Sequence, residues 1–312
     1  MRAIYPIFII IILLCSSWGF YPHKKINETA VFLLPTPLAS FYKPYIEKIT
    51  EKAVDADKRC YVDTIEGPRH YIDIDRYGDI DSLPIHWSQA KEKISERKLM
   101  AQGIIPWQIN KTYLNLVEAF KTKNIPRIIQ LSADIGHYIA DAHVPLHTTS
   151  NYNGQYTNQI GIHALWETRI PEMFYPTYDL YIGPAKYISD PVTTIWQIVK
   201  ESNALVDSVL LLEKQLSQTF KAAEIRAYVE RNNQLIQTYS DKYVQAYHEA
   251  LNGMVERRFK SSIYYVASFW YSAWVDAGQP KLGTSNLTFL DDPDPINYQD
   301  KPSLGREEWH QE

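Results

Sequence analysis

The stretch "HYIADAHVPLH" (137–147) gathers three of the chain's nine histidines, and a fourth follows at His163 in "HALWE", four positions ahead of Glu167. Residues four apart on a helix share one face. His137 with Asp141, and His163 with Glu167, therefore each aim an imidazole and a carboxylate the same way. Such a pair can chelate one zinc without backbone strain; it can equally be a hydrogen-bonded pair on a surface. Pro145 is placed to end the first helix, which leaves His147 just past the turn, within reach of a metal that the helical pair does not hold. Two pairs with His147 between them favour the metal reading. His143, two residues beyond Asp141, points to another side and reads as a supporting or surface residue.

Two further stretches carry donors. "VDADKRCYVDTIEGPRHYIDID" (54–75) offers Asp55, Asp57 and His70, and "WGFYPHKKIN" (18–27) offers His23. The first residues, "MRAIYPIFIIIILLCSSW", have the layout of a secretory signal peptide: Arg2, an apolar core, then Cys15, Ser16 and Ser17. Cleavage after Ser17 would free the Trp18 amine, and that amine, the Trp18 carbonyl and His23 could together hold a cation. An uncleaved anchor is the alternative, although the apolar run is short against the roughly 20 residues a spanning helix needs. A lipoprotein at Cys15 is disfavoured by bulky Leu14. Of the two cysteines, cleavage would leave Cys60, which excludes an internal disulfide. Cys60 reads as a buried thiol, with zinc ligation as its rival.

Helices must position these residues. Apolar residues recur at helical spacing over 37–54, 106–123 (with Pro106 at its start), 125–143 and 191–220. Residues 223–278 read as two helices broken near Gly253. Strand alternation is nearly absent, "HYIDID" (70–75) being the best short candidate. The expected fold class is all-α: a signal peptide over 1–17, one helical domain over 18–278, and a polar, irregular tail over 279–312. The chain is 45% hydrophobic and 22% charged, enough for a real core. Its net charge of −4 gives no basic nucleic-acid surface, but bound cations would reverse the local sign at a site. The polar loop "TTSNYNGQYTNQIG" (148–161) joins His147 to His163, and loops of this kind commonly line sites.

The dispersed pattern His137, Asp141, His147, then His163 and Glu167, resembles the core signature of the zinc-dependent phospholipase C superfamily, which includes the single-strand-specific zinc nucleases of fungi. The resemblance covers most of residues 18–278 and departs at Ala140, where glycine or threonine is usual. It implies a phospholipase C/P1 nuclease fold with a cleft holding three zinc ions. One would be bound by Asp57, His70, His137 and Asp141. A second would be bound by His147, His163 and Glu167, with positions left open. The third would take the Trp18 amine and carbonyl, His23, and Asp141 as a shared bridge. Asp55 is the rival of Asp57, which sits where the family's Ala-Asp pair would place it.

The chemistry that the resemblance implies is phosphodiester hydrolysis. A hydroxide held between two zincs would attack phosphorus in line, with Asp57 orienting or deprotonating the water. Glu167, where the nucleases carry Asp, and the 16-residue step from His147 to His163 are nearer the phospholipases. The spacing from Trp18 to His23 is nearer the nucleases. Tyr71 could stack on a base or line an apolar headgroup pocket, and Arg59 could steady a phosphate oxygen or remain a solvated surface residue. Lys58 stands where the phospholipases carry an aromatic residue, against a choline cage. The expected partners are a phospholipid headgroup or single-stranded nucleic acid and transient contact with a membrane surface, with no obligate protein partner. The expected location is outside the cytoplasm of a bacterium. A non-catalytic zinc-binding protein is the reading from another class.

Overall fold

The structure, a computed structural model, describes residues 20–231 and 234–283. The proposed signal peptide, Trp18 and nearly all of the proposed tail lie outside the described residues. The N-terminal half contains α1 (Phe20–Ala30), α2 (Thr36–Tyr42), α3 (Ile46–Lys52), α4 (Asp55–Cys60), α5 (Ile74–Tyr77), α6 (Trp87–Ile94), α7 (Glu96–Gln102), α8 (Ile105–Lys121) and α9 (Ile125–Ala142). Then come α10 (Ile162–Ala164), α11 (Ile170–Phe174), α12 (Pro191–Asn203), α13 (Val206–Ser217), α14 (Ala222–Ile225), α15 (Asp241–Ala250) and α16 (Met254–Asp276). The described chain is thus mostly helical, of the all-α class.

The centre is an antiparallel pair, α8 and α9, crossed by α16 and α1. Proline in the first turn of each helix of the pair costs no hydrogen bond, because N–H groups there have no intrahelical partner. The Asn124 side chain accepts from the Arg127 N–H and caps the start of α9. Trp270 of α16 is fully buried, stacks on Tyr42 at 5.1 Å, and donates its indole N–H to the Ser132 carbonyl of α9. Trp270→Ala is expected to cost about 3–5 kcal/mol of unfolding free energy, read from denaturant titration. A second apolar cluster joins Val144, Leu146, Leu165 and Trp166 to Val209 of α13 and Tyr243 and Tyr247 of α15.

Three sequence expectations change here. The region from 223 to Gly253 is not one helix. After α14 it forms an antiparallel hairpin of β1 (Arg226–Arg231) and β2 (Gln234–Tyr239), paired Arg226 with Tyr239 through Arg231 with Gln234. Tyr228, Val229, Ile236, Thr238 and Tyr239 are β-branched or aromatic and suit a pleated strand. Arg226 fixes the hairpin from outside: its guanidinium lies 3.6 Å from the centre of the Tyr239 ring and donates to the Ile160 carbonyl. The break at Gly253 is present, at φ 73°.

The segment 191–220 divides into α12 and α13. Ser202 at the joint donates to the Ala142 carbonyl, and Asn203 donates to the Thr148 carbonyl. "HYIDID" is irregular over 71–73 and joins no sheet. The Ile72 N–H donates to the His147 carbonyl and the Asp73 N–H to the Gln102 carbonyl, and α5 begins at Ile74. These bonds hold His70 beside the segment that carries His147.

Candidate metal centre

Six pieces of backbone converge on one cluster. α9 supplies His137 and Asp141, one turn apart, and the turn after it, opened by Pro145, supplies His147. His70 stands immediately before the Tyr71–Asp73 segment, pinned as above, and α4 presents Asp57. α1 brings His23, whose ring stacks on His137 at 4.0 Å. That close seating depends on Gly136: a β-carbon there would lie 1.9 Å from Asn27 Oδ1, whose amide donates to the Ala133 carbonyl. His163 and Glu167 come from α10 and a π-helical turn, Leu165–Arg169. Pro171 has no N–H to return to the Glu167 carbonyl, and the helix widens just ahead of it.

The donor atoms face one another. His70 Nδ1 lies 2.9 Å from Asp141 Oδ2 and 3.0 Å from His137 Nε2. His137 Nε2 lies 3.2 Å from Asp141 Oδ2 and 3.3 Å from Asp57 Oδ1, and His70 Nδ1 lies 3.7 Å from that same oxygen. Zinc binds nitrogen or oxygen at about 2.0–2.1 Å, so the corners of its tetrahedron stand about 3.3–3.4 Å apart. These edges fit. In the second set, Glu167 Oε2 is 2.6 Å from His163 Nε2 and 3.2 Å from His147 Nε2, and the two imidazole nitrogens are 3.1 Å apart. His23 Nε2 links the sets, 3.3 Å from Asp141 Oδ1 and 3.4 Å from Glu167 Oε1. These buried groups could bind metal ions.

Tautomers favour the same reading. A carbonyl oxygen only accepts, so His137 Nδ1 donates to Ala53 O at 2.9 Å and His147 Nδ1 donates to His70 O at 2.7 Å. In each neutral ring the Nε2 lone pair then points into the cluster. Two lone pairs at about 3 Å repel unless a proton or a cation lies between them.

Charge tells the same story. Burial opposes the charged form of His137, yet Asp141 and Asp57 raise its pKa to about 10. Burial opposes His70 too, but the Cys60 sulfur, Asp141 and Glu66 hold it well above the usual imidazole range. Burial would lift Asp141, but His137 and His147 hold it well below the carboxylate range. Glu167 is likewise held low against burial, by His147, His163 and His23. The raised His137 pKa stabilises the metal-free fold fully below its unfolded value of about 6.5, and that contribution is lost as pH rises through about 10. A metal ion bound at His137 would have to displace that proton. At pH 8, adding zinc to metal-free protein is expected to release at least one proton per chain, followed with an indicator in weak buffer; binding without release would contradict this charge assignment.

The expected residues are therefore placed as follows. His23, Asp57, His70, His137, Asp141, His147, His163 and Glu167 come together, and Trp18 lies outside the described residues. Asp55 does not join them; it pairs with Lys52 and Lys58. Cys60 is a buried free thiol whose sulfur sits 3.6 Å from His70 Nε2. His143 is buried, bonded to the Ile139 carbonyl and to Ser261, so it is not a surface residue.

Tyr71 corrects the sequence reading. Its side chain is only 1% exposed and packs against Gly103, so it offers no open face to a base or a headgroup. The Arg59 guanidinium is committed to Asp134, Glu66 and Tyr138. It lines a cleft of about 630 Å³ with Lys58, Arg69, Lys111 and Arg127, and none of the clustered donors lines that cleft. The sequence reading passed over Glu66, fully buried beside His70, and Tyr152, whose half-buried ring meets His163 edge-on at 6.3 Å. Tyr152 lies in the 148–161 loop, so the loop's composition was its signal.

No protein-family model matches the chain, and no curated protein matches it.

Proposed function

We propose that the protein is a zinc-dependent phosphodiester hydrolase of the phospholipase C-like kind, a member of the zinc-dependent phospholipase C/P1 nuclease superfamily. The observation that carries this is the set Asp57, His70, His137 and Asp141, with donor spacings of 2.9–3.7 Å, beside a three-donor set that leaves a coordination position for water or substrate. The first set would hold one zinc. His147, His163 and Glu167 would hold a second. His23 and Asp141, completed by the amine and carbonyl of Trp18, would hold a third. Cleavage after Ser17 and export fit this arrangement, since only cleavage frees that amine.

Bound ions would supply positive charge against the phosphoryl oxygens and acidify water held among them. Asp57, at 18%, has the most exposed side chain among the carboxylates of the cluster. It therefore meets incoming water, and His137, His23 and His70 keep it ionised against burial. Its role is to orient that water and accept its proton. The burial of Tyr71 removes a contact that both substrate readings had used, so the preference for a phospholipid substrate and contact with a membrane surface rests on Glu167 and on the short step from His147 to His163. Among the described residues, no helix is long and apolar enough to cross a membrane.

The test is a parallel assay on phosphatidylcholine vesicles, phosphatidylethanolamine vesicles, single-stranded DNA and a chromogenic phosphodiester, with and without chelator. Chelator-sensitive release of phosphorylated headgroup, restored by zinc, supports the proposal. Turnover of DNA alone moves the protein to the nuclease branch. Zinc binding without turnover of any substrate makes it a binding protein.

A further inference from the structure

Glu66 has no place in the ligand set, yet its side chain is fully buried beside His70, which is buried as completely. Burying a carboxylate is costly unless it is paired. Here the cost is offset by three donors: Arg69 to Oε2, and Tyr138 and Arg59 to Oε1, the last at 3.4 Å. The same Oε1 lies 3.6 Å from His70 Nε2. The opposite nitrogen of that ring, Nδ1, faces Asp57, His137 and Asp141. One imidazole thus stands between a fixed anion on one edge and the donor set on the other. The Tyr138 ring, edge-on at 5.4 Å, closes its side.

We propose that Glu66 is a positioning residue for the metal centre: its carboxylate keeps the His70 proton on Nε2 and so presents the Nδ1 lone pair to the ion held with Asp57, His137 and Asp141. A carboxylate behind a ligating imidazole fixes its tautomer and strengthens it as a donor. Cys60 Sγ is as close to Nε2, at 3.6 Å, but a thiol is a weak acceptor; the carboxylate carries the charge. Arg59 and Arg69 act one step further out by keeping Glu66 ionised and still. The inference rests on the metal reading above.

The experiment compares wild type, Glu66→Gln and Cys60→Ala, each full chain stripped and reloaded with zinc or cobalt. Zinc affinity is read by chelator competition, cobalt geometry by visible absorption, and folding by circular dichroism. Glu66→Gln is expected to weaken one ion by about 10–100-fold and to alter the cobalt spectrum while the fold is kept. Cys60→Ala is expected to change affinity less than about threefold, well below that range. If folded Glu66→Gln binds as wild type, or if Cys60→Ala carries the loss instead, the proposal is overturned. A second readout needs no variant: nitrogen NMR of histidine-labelled, metal-loaded wild type should show His70 protonated at Nε2, and metal at Nε2 overturns the assignment. Wild type that binds no divalent ion sinks the functional reading as well, whereas wild type that binds zinc without turnover leaves this inference standing.

Discussion

Asp141→Asn is expected to lower phosphodiester turnover by on the order of 1,000-fold, the largest effect of any single substitution proposed here. The reason is the number of groups that meet at this carboxylate. Oδ2 faces His70 at 2.9 Å and His137 at 3.2 Å, while Oδ1 faces His23 at 3.3 Å. The amide keeps the shape but loses the charge that would serve two ions. Losing even about 4 kcal/mol of charge stabilisation in the transition state gives a factor of roughly 1,000, at about 1.36 kcal/mol per tenfold. Zinc per chain should fall along with kcat. Full zinc content with near-normal kcat would remove Asp141 from the bridge. Circular dichroism must accompany the assay, because a buried cluster stripped of one charge also loses stability.

Removing metal should lower the melting temperature more than any core substitution. The donors come from α1, α4, α9 and the segments around His70, His147 and His163, so an unfolded chain presents no assembled site. Each ion held at about 1,000 times its Kd contributes about 4 kcal/mol. Two such ions correspond to roughly 15 °C in a chain of this size. Scanning calorimetry with chelator, then with zinc restored, reads the shift; an unchanged melting temperature on chelation would mean that the cluster holds no ion in the folded protein.

The convergence of the donors was legible because helical spacing alone pairs His137 with Asp141 and His163 with Glu167, with His147 set between the two pairs. α8 and α9 were legible from periodicity with early prolines. The hairpin at Arg226–Tyr239 was not, because its strands are short and sit among helical periodicity. What stabilises it is Arg226 reaching the Ile160 carbonyl, a contact far off in sequence. Tyr71 was misjudged for a similar reason: its neighbour His70 is a candidate ligand, yet the Tyr71 ring is buried against Gly103, more than 30 residues on in sequence. Glu66 was passed over although it stands four residues before His70 and three before Arg69, because that stretch is not one continuous helix and the spacing therefore carried no helical-face argument.

The seating of α1 on Gly136 also has a consequence for the order of synthesis. The asparagine that fits this notch and the carbonyl it bonds lie 106 residues apart. At ribosomal speeds of about 5–20 residues per second, α1, the first of the described helices, waits some 5–20 s for this seat to be made. Until translation passes α9, α1 can pack only on nearer elements such as α3, and the notch that fixes its final seat is missing.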